Sequence, residues 1–148
     1  MTSYRTAIQS TLLAAAMTLA GCSWIPGMGP ETSMKNQLTG AQEVPSVTTG
    51  GSGTIDTTFD KLTNVLTWTV TYSGLSGPVT GAHFHGPAAA GVNAGVVVPF
   101  TGDLSSPIRG KATLTGAQAA DFTAGRWYVN LHTAKNPGGE IRGQLTSK

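Results

Sequence analysis

The three histidines of the chain fall in two short stretches. His83 and His85 stand one residue apart in Gly81-Ala82-His83-Phe84-His85-Gly86-Pro87, and His132 lies in Trp127-Tyr128-Val129-Asn130-Leu131-His132-Thr133. Both stretches read as β-strands. Alternate residues of a strand share a face, so His83 and His85 project together with Cα atoms about 6.5 Å apart. Two imidazoles at that spacing reach one ion. A fold that brings His132 beside them would assemble three neutral nitrogen ligands. Imidazole suits copper and zinc, and copper(II) binds nitrogen and oxygen donors more tightly than other divalent first-row ions. Copper is therefore the expected ion, with zinc the second choice. Three protein ligands leave one coordination position open. Asn130 and Glu140 are expected to orient the rings from behind, with Arg142 beside them; Glu140 and Arg142 also have the spacing of a surface ion pair.

The strands that must position these residues are legible from their alternation. In Asn64-Val65-Leu66-Thr67-Trp68-Thr69-Val70-Thr71-Tyr72 the even positions are large and apolar, and the odd threonines face the other way. Such period-2 patterning predicts a strand buried on one face. Further strands are expected over residues 37–45, ending at Pro45, and over 51–60, 79–85, 95–100, 108–114, 126–133 and 140–145. Residues 60–63 read as a hairpin connection and 115–122 as a single helical turn before Gly125. The expected fold class is all-β, with about eight antiparallel strands in a sandwich or barrel. In the histidine strand Ala82 and Phe84 face the core, which puts His83 and His85 on the outer face. In the last hairpin His132, Glu140, Arg142 and Gln144 share the outer face. Trp68, Trp127 and Tyr128 read as packing residues, and Glu43 as a brace near the first turn.

With 148 residues the chain predicts one folded domain. Its low charge (11%) and 20 glycines suit a turn-rich β protein. A net charge of +2 without a basic cluster gives no electrostatic case for nucleic acid binding. Arg5 followed by the apolar run from Thr11 to Leu19 has the architecture of an export signal, too short to span a bilayer as a helix. It ends in Leu19-Ala20-Gly21-Cys22, which resembles the bacterial lipoprotein lipobox. That resemblance implies cleavage after residue 21 and lipid on Cys22, anchoring the chain to a membrane of the cell envelope. Ser23 beside the lipid implies the periplasmic face of the outer membrane. Residues 22–34, rich in Gly and Pro, read as a flexible tether, and residues 35–148 as the domain. Cys22 is the only cysteine, so the domain has no disulfide and no thiolate ligand.

Four blocks carry a resemblance to a known family: Leu38-Thr39-Gly40-Ala41-Gln42-Glu43-Val44-Pro45, Gly81 to Gly86, Tyr128 to Thr133, and Asn136-Pro137-Gly138-Gly139-Glu140-Ile141-Arg142-Gly143-Gln144-Leu145. In this order they resemble the CHRD (chordin) domain over about residues 35–146. That family includes bacterial secreted proteins and lipoproteins and the repeats of animal chordin. A weaker similarity is to copper/zinc superoxide dismutase, which implies a Greek-key barrel and a copper site at His83, His85 and His132, with Arg142 near the end. The dismutase's bridging histidine and zinc ligands have no counterpart, since no other histidine exists and residues 86–95 hold no acid. The preferred function is a non-enzymatic, membrane-anchored metal-binding lipoprotein. The alternatives are a mononuclear copper redox enzyme and an adhesive domain without metal.

Overall fold

A computed structural model describes residues 30–147 of the chain. The signal segment, Cys22 and most of the tether lie outside the described residues. Eight strands form one antiparallel sheet: β1 (Glu31–Thr39), β2 (Ser52–Asp60), β3 (Val65–Ser73), β4 (Val79–His85), β5 (Val96–Pro99), β6 (Ile108–Thr113), β7 (Tyr128–Thr133) and β8 (Ile141–Gln144). Their order is β5-β4-β7-β8-β1-β2-β3-β6. The first and last strands pair, and the β3–β4 and β6–β7 connections carry the chain across the sheet in Greek-key manner. The sheet curls into a nearly closed barrel, with its two terminal strands, β5 and β6, at the seam.

The alternation that marked the strands also fills the interior. Leu66, Trp68 and Val70 of β3 meet Ile55 and Phe59 of β2, Met34 and Leu38 of β1, Ala82 and Phe84 of β4, and Val129 and Leu131 of β7. Aromatic rings fill the middle: Trp68 stacks on Phe100 with centroids 4.8 Å apart and meets Phe84 edge-on at 5.1 Å. Helix α1 (Gly116–Thr123) is capped by Thr115, whose hydroxyl accepts from the Gln118 N–H while the Gln118 side chain accepts from the Thr115 N–H. The helix delivers Phe122 against Phe59 and Trp127.

The first strand sits earlier than its sequence pattern indicated. It begins at Glu31, inside the stretch read as tether, with Met34 in the core. It ends at Thr39 because the chain coils at Gly40–Gln42, where the Gly40 carbonyl accepts from both Glu43 and Val47. A Cβ at Gly40 would lie 2.2 Å from the Val47 oxygen, so this turn requires glycine, and it lifts Glu43 off the sheet.

Gly110 of β6 lies flat on the Trp68 indole; a Cβ there would sit 2.3 Å from Trp68 Cζ2. Gly110→Ala must push the central ring of the core out of place. Its expected cost is about 1–3 kcal/mol, read as a lower urea midpoint at unchanged slope. An unaltered midpoint would mean that Trp68 has slack at the seam.

Candidate metal centre

Strands β4 and β7 are neighbours, and their register decides the site. His83 pairs with Asn130, Gly81 with His132 and His85 with Tyr128. The three histidines therefore stand side by side on the outer face of two adjacent strands, backed by Phe84, Val129 and Leu131. Gly81 keeps the approach open, since a Cβ there would lie 3.3 Å from His83 Cε1.

The three imidazoles converge. One ring nitrogen from each lies within 4.8 Å of the others, and His83 Nδ1 is 3.1 Å from His132 Nε2. Two nitrogens bound to one ion at roughly 2.0–2.1 Å, about 100° apart, are separated by about 3.1 Å. Full closure on one ion asks the third nitrogen to come in from as much as 4.8 Å to about 3.3 Å from the other two. The residues present thus fit a mononuclear site.

Backbone carbonyls fix the rings. His132 Nδ1 donates to the Pro137 oxygen at 2.9 Å, and His85 Nδ1 donates to the Ala94 oxygen at 3.0 Å. A carbonyl only accepts, so His132 carries its hydrogen on Nδ1 and leaves Nε2 as the lone-pair atom; the Ala94 oxygen favours the same tautomer at His85, whose Nε2 faces the Asn130 carboxamide oxygen. This is how outer partners prepare metal-binding histidines. His83 Nδ1 then donates to His132 Nε2. Burial first, then the neighbouring His132 and His85, hold His83 below the ordinary imidazole value. Burial also lowers His85; the Ala94 and Asn130 contacts oppose it, and His132 and Arg142 reinforce it.

The outer face is covered in part: His83 and His132 are half-buried, while the residues around His85 lie out of water. Loop 86–95, the turn 134–139 and the segment after Gly40 roof it. His85 is 8% exposed, Asn130 3%, Arg142 1% and Glu140 0%. Asn130 lies directly on His85, its Oδ1 2.9 Å from Nε2. Glu140 and Arg142 touch no histidine through a hydrogen bond, and they form no surface ion pair. Glu140 accepts from Thr49 and Thr133 hydroxyls at 2.6 Å, from the Ser76 N–H at 2.8 Å and from the Ser76 hydroxyl. It pins two loops to the end of β7. Arg142 donates to the Val92 oxygen and to Asn93 Oδ1, and its Cζ stands 3.4 Å from the centre of the Tyr128 ring. Tyr128 in turn stacks on His85, centroids 4.7 Å apart and planes 2° from parallel. Arg142 thus acts on the cluster through Tyr128 and through the loop that carries Ala94.

Sequence reasoning missed the Pro137 and Ala94 carbonyls, because backbone oxygens carry no residue signature. Tyr128 was read as packing alone, yet it carries the His85 ring. Its place at an even position of the histidine-bearing strand was the available signal, since that face also holds Asn130 and His132.

A family model for the CHRD domain matches residues 34–145. No curated protein and no solved structure gives a significant match.

Proposed function

The chain belongs to the CHRD-domain family, and from that premise we propose that it is a lipid-anchored envelope protein that binds one copper ion through His83, His85 and His132. The convergence of the three histidines carries this reading. The arrangement suits an ion: carbonyls lie against Nδ1 of His132 and His85, and burial disfavours the charged form of His83 and His85. Copper is preferred over zinc on donor chemistry, because neutral imidazoles rank copper(II) highest. The role is holding or delivering the ion. The roof over His85 and Asn130 leaves little room for a substrate, and among the described residues no carboxylate bonds to the cluster to serve as a general acid or base.

The anchor is the second half of the proposal. The sole cysteine at the end of an apolar export segment supports lipid on Cys22 and a place in the envelope, on the periplasmic face of the outer membrane. A Cys22→Ser chain is expected to move from the detergent phase to the aqueous phase in detergent partitioning; unchanged partitioning would remove the anchor. The metal half is tested by titrating the exported protein with copper(II) and with zinc(II). A one-to-one endpoint with copper bound more tightly is expected. No saturable binding of either ion would leave the domain as an interaction module.

A further inference from the structure

Beside the cluster, the neutral His85 ring has one hydrogen for two oxygens: the Ala94 carbonyl lies 3.0 Å from Nδ1 and the carboxamide oxygen of Asn130 lies 2.9 Å from Nε2. Both oxygens only accept, so one of the two contacts sets lone pair against lone pair. The Nδ1–H tautomer, which frees Nε2 for an ion, puts that contact at Asn130. Left alone, this contact is repulsive, and Asn130 is nearly fully buried, so water does not relieve it. A half-turn of the amide would present its NH2 group to the ring, but its surroundings oppose that. The Asn130 NH2 group faces the Gly138 carbonyl at 3.4 Å and the Glu43 carboxyl. Glu43 is itself 5% exposed, and its buried Oε1 has no hydrogen-bond partner. Turning the amide would set its oxygen against these two oxygens. Gly139 lets the pair come together: a Cβ there would lie 2.3 Å from Glu43 Oε1 and 2.6 Å from Asn130 Nδ2.

A cation resolves the contact. Two donor atoms bound to one ion at about 2.0–2.1 Å and about 90° apart are separated by about 2.9 Å, the spacing found here. A carboxamide oxygen is an established weak ligand beside histidines in copper sites. We propose that Asn130 Oδ1 is the fourth donor of the site, making it N3O, and that Glu43 is the positioning residue that holds the amide oxygen toward the ion. This rests on the metal-binding reading and goes beyond it. It fills the position that three histidines leave open, and it gives the buried acid of the first family block a purpose.

Cobalt(II) is the probe, because its visible bands are intense in four-coordinate sites and weak when water raises the coordination number. The wild-type protein is expected to bind one cobalt(II) with four-coordinate bands. Asn130→Ala is expected to bind at least about tenfold more weakly, a smaller loss than that of a histidine because a carboxamide oxygen is the weaker donor, with the bands reduced. Asn130→Asp, which keeps an oxygen donor, is expected to restore both affinity and bands. Glu43→Gln, removed from the histidines, is expected to lose affinity in the same direction by a smaller factor. Circular dichroism and melting of each variant separate a lost ligand from a lost fold. If Asn130→Ala and Glu43→Gln keep the wild-type affinity and spectrum while His83→Ala loses both, the fourth donor is wrong and the three-histidine site stands. Failure of Asn130→Asp to rescue a folded Asn130→Ala site also overturns it. Absence of cobalt, copper and zinc binding in the wild type overturns both readings together.

Discussion

His83→Ala and His132→Ala are each expected to lower copper(II) affinity by more than about a hundredfold. The loss exceeds the 10–100-fold typical of changes one shell further out, because each removes a bond to the ion itself. The two side chains come from strands 49 residues apart in sequence and meet at 3.1 Å, so equal losses in both establish that they share one ion. The fold should survive. His83 and His132 are only half-buried, and the core beneath them is made by Phe84, Val129 and Leu131. Competition against a coloured chelator measures the affinity. Thermal melts supply an independent readout: an ion present at about a thousand times its dissociation constant adds about 4 kcal/mol to wild-type stability and little to either variant. Wild-type affinity in both would mean that the ion binds elsewhere and that the histidines are a hydrogen-bonded pair on a covered face.

Glu140→Gln is expected to lower stability by about 3 kcal/mol at pH 7 and to remove a pH dependence expected of the wild type. Burial alone would raise the pKa of this carboxyl, but the Ser76, Thr133 and Thr49 hydroxyls and the Ser76 N–H outweigh it and hold it at about 2, down from 4.5. Unfolding lets it return to 4.5, so the unfolded chain takes up the proton first. The stabilisation is complete above about pH 4.5, declines as pH falls, and is gone below about 2. The gap between the two values corresponds to about 3 kcal/mol. The side chain is fully buried, so solvent does not screen this interaction. The carboxamide of the variant presents hydrogens where Ser76 and Thr133 also donate, leaving buried donors unpaired. Urea unfolding at pH 7 and at about pH 3 gives the test. Glu43, whose carboxyl burial pushes up, titrates in both proteins, so their difference isolates Glu140. A constant difference across this range would show that the four donors do not favour the charged carboxyl.

The pattern of residues 64–72 announced β3 and its buried face, and residues 79–85 and 126–133 announced the two histidine strands, because side-chain alternation is a local property of extended chain. It also placed His83 and His85 on one face, which needs only the pleat. The start of β1 was not legible. Residues 31–36 mix polar and apolar side chains, and their pairing with residues 55–60 of β2 is what makes them strand.

Glu140 and Arg142 mark where pattern ran out. Each was assigned to the right face, but a face says nothing of what lies above it. Whether charged side chains end in water, in an ion pair or under a roof is set by the loops 43–47, 86–95 and 134–139, whose course no periodicity encodes.

By itself, then, the sequence determined an all-β domain of about eight strands, its core side chains, its CHRD blocks and the confinement of every histidine to two strands. All of these follow from residue type and short-range spacing. The tertiary structure decided that β4 and β7 are neighbours, that His132 meets His83, that the Pro137 and Ala94 carbonyls lie against the rings, and that Asn130 meets His85 with Glu43 nearby. These depend on register between distant strands and on backbone atoms, and both are settled by how the whole barrel packs.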